Sequence, residues 1–166
     1  MKFTMPRMCS LLALLAGCFQ VAAAEPAPKA GTTLDLKFRA FDERAVDLAQ
    51  LRGKVVLIEF WATWCGPCVR TMPAVKAAYE KLHPRGLEII GVSFDKSRPS
   101  LGYFLKQHEI PWPQYFDGLG LDNKLGARFG VETTPTLWMV DKQGKLRDLN
   151  AGEKLGEKID KLLAEP

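Results

Sequence analysis

The chain has 166 residues, 47% of them hydrophobic and 25% charged, with a formal charge of +4. That is one domain's worth of ordinary globular chain, long enough to bury a core without disulfide staples. Basic residues are scattered and form no run, which argues against nucleic acid as a partner.

Residues 1–24 read as an export signal. Lys2 and Arg7 make a positive start, Ser10 to Ala24 is apolar but short for a membrane span, and Ala22-Ala23-Ala24 suits a cleavage site. Without residues 1–24 the formal charge falls by two. Leu15-Ala16-Gly17-Cys18 fits a second route, because it resembles the lipobox of bacterial lipoproteins. In that case the signal is 1–17 and Cys18 carries the lipid. Both routes predict a periplasmic or otherwise extracytoplasmic protein, attached to the membrane only through such an anchor. Glu25 to Gly31 is a Pro/Ala-rich linker. Residues 32–166 then form the domain.

Leu34 to Phe38 alternates apolar and polar residues, the pattern of a half-buried strand. Val46 to Leu51 reads as a short strand running into the turn at Arg52-Gly53. Lys54 to Trp61 is apolar with little alternation, as in a strand buried on both faces. After Cys65, the apolar residues Met72, Val75, Tyr79 and Leu82 are spaced as one face of a helix. Pro67 is tolerated in its first turn, whereas Pro73 lies inside the pattern and predicts a kink. Pro84 and Gly86 close this helix, and Leu87 to Phe94 is a second buried strand. Strand, crossover helix and strand imply parallel pairing.

A helix is predicted over Pro99 to His108, a short strand over Gln114 to Phe116, and a helix over Asp122 to Phe129, stopped by Gly130. Pro135 precedes the strand Thr136 to Val140. The loop Asp141 to Gly144 leads to a strand over Leu146 to Leu149, and an amphipathic helix spans Glu153 to Leu163. The class is α/β: a mixed sheet flanked by helices.

Outside the signal only Cys65 and Cys68 remain of four cysteines, so there is no disulfide framework. Structural zinc commonly needs four ligands, and His83 and His108 have no partner at metal spacing. They read as surface or helix-end residues, and no metal or cofactor is expected. Covalent haem attachment needs His after the second cysteine, where Val69 stands. A staple closing so short a loop constrains little chain. Redox exchange remains. Cys65 is placed at a helix N-terminus, where free N–H groups and the helix dipole favour a thiolate. Cys65 is the expected nucleophile. Cys68, one turn later and more buried, is the expected resolving thiol.

Glu59 is the only charge in Val55 to Trp61. Unpaired burial is costly and raises a carboxyl's pKa, which suits proton exchange with Cys68. The competing reading is a local cap or ion pair at the strand end. Trp112 and Trp138 are read as core or groove wall.

Phe60-Trp61-Ala62-Thr63-Trp64-Cys65-Gly66-Pro67-Cys68, then Pro73, then Thr133-Thr134-Pro135-Thr136, resembles the thioredoxin superfamily. The resemblance covers about residues 32–164. It implies a thioredoxin-like fold, a buried acid at Glu59, and supporting positions at Trp64, Gly66 and Pro67. It also implies a cis-proline at Pro135 facing the cysteines, with Thr134 pairing its backbone to an extended substrate. The signal, the N-terminal strands and the insertion from Gly91 to Gly130 look like the TlpA/ResA branch of exported thiol–disulfide oxidoreductases. Members of the ResA kind carry Glu three residues after the second cysteine, where Thr71 stands. Gly66-Pro67 adds no cation between the thiols, unlike the His of strongly oxidising DsbA relatives, so reduction is the expected direction. The expected substrate is an oxidised envelope protein, and the resemblance implies a membrane electron donor of the DsbD/CcdA type. The alternatives are a redoxin-type thiol peroxidase and a copper-handling module. The peroxidase pattern would need Thr and Pro where Ala62 and Ile58 stand. Copper handling has two soft thiols but no methionine cluster beside them.

Overall fold

The structure, a computed structural model, describes residues 27–166. The segment read as an export signal, with Cys9 and Cys18, lies outside the described residues, as does the start of the expected linker.

A five-stranded sheet in the order β5 (Gln114–Tyr115), β4 (Leu87–Ser93), β3 (Val55–Trp61), β6 (Thr136–Val140), β7 (Leu146–Asp148) organises the fold. Its centre is β3 (Val55–Trp61), all seven residues of which are buried. Branched and aromatic side chains on both faces suit a strand covered from both sides. On one side β3 pairs in parallel with β4 (Leu87–Ser93), from Val55 opposite Leu87 to Trp61 opposite Ser93. On the other it pairs antiparallel with β6 (Thr136–Val140), from Val56 opposite Val140 to Phe60 opposite Thr136. The edges are β5 (Gln114–Tyr115), parallel to β4, and β7 (Leu146–Asp148), antiparallel to β6. The predicted mixed sheet and the parallel strand–helix–strand unit are both present.

The helix α1 (Gly66–Leu82) crosses between β3 and β4. It buries Met72, Val75 and Leu82, and Tyr79 is half-buried. Pro73 lies within it without ending it. A 3-10 turn over His83–Arg85 follows, and Gly86 at φ 106° supplies the left-handed residue that closes it. Three further helices are α2 (Arg98–Gln107), α3 (Lys124–Phe129) and α4 (Leu155–Ala164). The last buries Ile159 and Leu162, and Lys142 Nζ donates to the carbonyls of Leu163 in its last turn (2.9 Å) and Glu165 just beyond it (2.6 Å).

Two predicted strands differ. The first begins later, as β1 (Lys37–Arg39). Leu34 and Leu36 are buried as the alternation requires, but their backbones bond outside a strand ladder: Leu34 N–H donates to Gly144 and Leu36 C=O accepts from Leu48. The second is β2 (Ala45–Asp47), which pairs with β1 and stops early. Asp47 accepts from the Ala49 N–H at 2.9 Å, capping a 3-10 turn over Leu48–Leu51. α3 also starts later than predicted, because Asn123 caps it by accepting from the Gly126 N–H at 2.9 Å.

Trp112 and Trp138 are buried in the core. Gln114 is buried too, and its side-chain oxygen accepts from Trp61 Nε1 at 2.9 Å. Gly91 makes that possible, since a Cβ there would collide with the Gln114 side chain.

Candidate active site

Where β3 ends at Trp61, the chain turns through Ala62, Thr63 and Trp64 into α1. Cys65 N–H donates to Ala62 C=O at 3.1 Å, which tightens this turn. Cys65 is the N-cap of α1, and its Sγ accepts from the Cys68 N–H at 3.2 Å. A sulfur so placed faces the positive end of a helix, the environment that favours a thiolate. Cys65 and Cys68 are joined as a disulfide with their Cα atoms 5.3 Å apart. Cys65 keeps a small exposed surface and Cys68 has none. Gly66, Pro67 and Trp64 are exposed around them, Trp64 by 57%.

Glu59 is wholly buried, and neither carboxylate oxygen has a hydrogen-bond partner. The reading of a local cap or ion pair is therefore set aside. Desolvation alone pushes its pKa up to about 8, so the neutral acid is favoured across much of the neutral range.

The Thr134–Pro135 bond is cis. β6 begins at Thr136, opposite Phe60, so the register sets Thr134 and Pro135 beside the end of β3 that leads to Cys65. Thr134 is half-buried and Pro135 exposed. Thr71 Oγ1 donates to the carbonyls of Cys68 (3.0 Å) and Pro67 (3.3 Å), inside its own helix. Ile58 and Ala62, at the peroxidase-pattern positions, are both fully buried.

Sequence reasoning missed a polar brace beneath the turn. Asp95, 2% exposed, accepts from the Thr63 N–H at 3.1 and 3.2 Å and from the Thr63 hydroxyl at 2.5 Å. The Ser93 hydroxyl donates to the same carboxylate at 2.8 Å. Buried Asn123 donates to the Ser93 carbonyl at 3.0 Å, tying the insertion to the end of β4. An acid directly after the apolar run Leu87 to Phe94 was the available signal.

Among the described residues no group of three or more His, Cys, Asp or Glu is placed to hold a metal ion, and no helix is long and apolar enough to cross a membrane. His83 and His108 sit at the C-terminal ends of α1 and α2, as expected. His83 Nδ1 is hydrogen-bonded to the Leu87 carbonyl at 2.9 Å, and His108 stacks on Phe104.

A cysteine pair at the mouth of a thioredoxin-like sheet, one sulfur capping a helix and the other sealed behind it, defines a thiol–disulfide oxidoreductase. Residues 25–149 match the AhpC/TSA family, and the chain belongs to that family. It is 32% identical over 120 residues to the thiol-disulfide oxidoreductase ResA of Bacillus thuringiensis subsp. konkukian, which covers 72% of this chain and 68% of that one. The ResA of Bacillus cereus strain ZK is 32% identical over 117 residues, covering 70% of this chain and 66% of that relative. The chain thus spans about two thirds of these relatives' length. Among solved structures, one described as a thiol:disulfide interchange protein DsbE from Chlorobium tepidum superposes with a TM-score of 0.70 at 25% identity. It covers 84% of this chain and all of that one.

Proposed function

We propose that this protein reduces disulfides in proteins outside the cytoplasm. Cys65 acts as the nucleophile and Cys68 as the resolving thiol. The observation that carries this reading is the Cys68 N–H directed at Cys65 Sγ at the start of α1, with no cation in the Gly66-Pro67 pair between the thiols. The helix end makes a usable thiolate. Without a positive charge between the thiols the reduced form is not stabilised to the degree that makes an oxidant.

In the reduced protein, the Cys65 thiolate attacks one sulfur of a substrate disulfide. The substrate's S–S bond breaks, a mixed disulfide forms, and the other substrate sulfur leaves as a thiolate. Cys68 then loses its proton and attacks Cys65 Sγ. The Cys65–Cys68 disulfide forms and the second substrate sulfur is released, so two electrons pass from protein to substrate. Glu59 is the group we assign to take and return the Cys68 proton. It sits on the strand leading into the site, wholly buried, unpartnered and with its pKa near neutrality. Thr134 and cis-Pro135 are assigned to align an extended substrate segment, supported by their register beside the end of β3. Trp64, Gly66 and Pro67 form the exposed rim. Export through residues 1–24, or lipidation at Cys18, would put this reaction in the envelope. A membrane donor of the DsbD/CcdA type would return the electrons.

The test is trapping. With Cys68→Ser, the mixed disulfide on Cys65 cannot resolve, and envelope proteins should accumulate on it that dithiothreitol releases. Capture of nothing, together with a wild type inactive on insulin disulfides, would overturn the proposal. A measured reduction potential as oxidising as that of DsbA would reverse the direction.

A further inference from the structure

Every arginine but one among the described residues has a side-chain partner. The others reach a carboxylate within 4.0 Å or, for Arg52, a backbone carbonyl. Arg70 makes neither an ion pair nor a side-chain hydrogen bond among these residues, and it is exposed. It lies in the second turn of α1, four residues after Gly66. Side chains on a helix lean toward its N-terminus, so Arg70 reaches back over the first turn. A Cβ on Gly66 would lie 3.4 Å from Arg70 Nη1. Gly66 directly follows Cys65 and, like Pro67, is exposed. The guanidinium therefore stands on open surface one residue from the nucleophile.

Helix stability does not call for a cation there. The N-terminus is the positive end of a helix, where an acid is favourable and a cation is not. The first turn of α1 contains no acid, and the only acid in α1 is Glu80, near its other end. The helix end and the guanidinium thus add their positive character at one place, and no carboxylate among the described residues pairs with Arg70 to offset it. Such a place is suited to an anion brought from outside.

We propose that Arg70 is a specificity-determining residue, receiving the carboxylate of an Asp or Glu that flanks the substrate cysteine under attack. This deepens the reductase reading and rests on it, naming the substrate class as protein disulfides with acidic flanks. A guanidinium presents a planar fork of N–H donors that matches a carboxylate. An exposed pair of this kind is weakened by salt, so the selection is strongest at low ionic strength.

The experiment compares three synthetic peptides that differ only in the residues flanking one cysteine, which are Glu, Gln or Lys. Each is a mixed disulfide with thiopyridine, an uncharged leaving group whose release by the reduced protein is followed by absorbance. At low salt, wild type should favour the Glu peptide over the Lys peptide about fivefold in kcat/KM, with Gln between, as an exposed ion pair allows. The ratio should fall toward one in about half-molar salt. Arg70→Ala should bring the ratio near one, Arg70→Glu should invert it, and Arg70→Lys should retain most of it. Arg70 is exposed, so the variants should fold, and circular dichroism checks this. Equal wild-type rates on the three peptides, or a preference that survives in Arg70→Ala and Arg70→Glu, would overturn the recognition role and leave the reductase standing. So would an equal slowing on all three peptides with a shifted pH profile of Cys65 alkylation, which would make Arg70 a cation that serves the thiolate. Failure to reduce any of the three peptides would instead remove the reductase reading, and the recognition role with it.

Discussion

Thr63 directs both its backbone N–H and its hydroxyl at the carboxylate of Asp95, across 32 residues of sequence. The turn that carries Cys65 is therefore held from below by the end of the neighbouring strand. A hydrogen bond to a charged group is worth about 1.5–3 kcal/mol, and a buried donor left without a partner costs a similar amount. Asp95→Ala should lower stability by about 2–3 kcal/mol in urea unfolding. Asp95→Asn, which keeps one acceptor, should lose less. If the brace sets the direction of Cys65, turnover on insulin should fall roughly tenfold in Asp95→Ala, since small misplacements of a reacting group are expensive. The pH profile of Cys65 alkylation should shift as well. Unchanged alkylation would leave Asp95 as a stabilising contact only.

Glu59 predicts a pH dependence with a definite sign. Its folded pKa is about 8, raised by burial from the ordinary 4.5. Between these values the folded state holds a proton that the unfolded state has lost, so stability should fall as pH rises from about 4.5 to 8. The limiting slope is about 1.4 kcal/mol per pH unit. Glu59→Gln removes the titration. Chemical denaturation at pH 5 and 7.5 should show the wild type losing stability between them and the variant holding nearly constant. The same variant should slow the resolution of a Cys65 mixed disulfide while sparing its formation. Slowing of both steps alike would argue against proton exchange with Cys68.

The two thiols should part clearly in reactivity. Cys65 retains some surface and receives the Cys68 N–H, while Cys68 is sealed. Brief iodoacetamide treatment of the reduced protein should label Cys65 and leave Cys68 unmodified, as peptide mass mapping would show. Cys65→Ser should abolish turnover completely. Cys68→Ser should still carry out the first attack at close to the wild-type rate in a single-turnover assay. Preferential labelling of Cys68 would invert the assigned roles.

Asn123 serves three partners from a buried position, donating to Ser93 C=O and to Asp117 Oδ1 and accepting from Gly126 N–H. Asn123→Ala removes a helix cap and a buried hydrogen bond together. A loss of about 1–3 kcal/mol is expected, read from the urea midpoint. The insertion should also become more open to limited proteolysis near Leu121.

The legible parts of the sequence were those whose signal is local. β3 and β4 follow from unbroken apolar runs, and α1 from its helical spacing and a proline tolerated in the first turn. The cysteine pair and the lone charge at Glu59 stand out within their own segments, whereas Pro135 was marked only by the resemblance to the thioredoxin superfamily. The edges of the fold were harder. Leu34 and Leu36 alternate as a strand does, but the burial that alternation reports is met here by loop partners. Asp47 ended β2 because its side chain could bond the next backbone turn. Thr63–Asp95, Trp61–Gln114 and Ser93–Asn123 left no periodic trace, since each joins segments that meet only after the sheet has assembled.

The central position of β3 has a consequence for wear. Strands bonded on both sides are among the last to open in native-state fluctuations, so the carboxyl on β3, and the sulfur buried at the start of α1, should be among the groups slowest to meet solvent. Small oxidants that reach the molecule meet Cys65 first, and its oxidised form has a reserve thiol one turn away. The damage such a site accumulates would be reversible disulfide rather than irreversible acid. Long service under oxidising conditions would then depend less on the chemistry of the motif than on where the sheet places it.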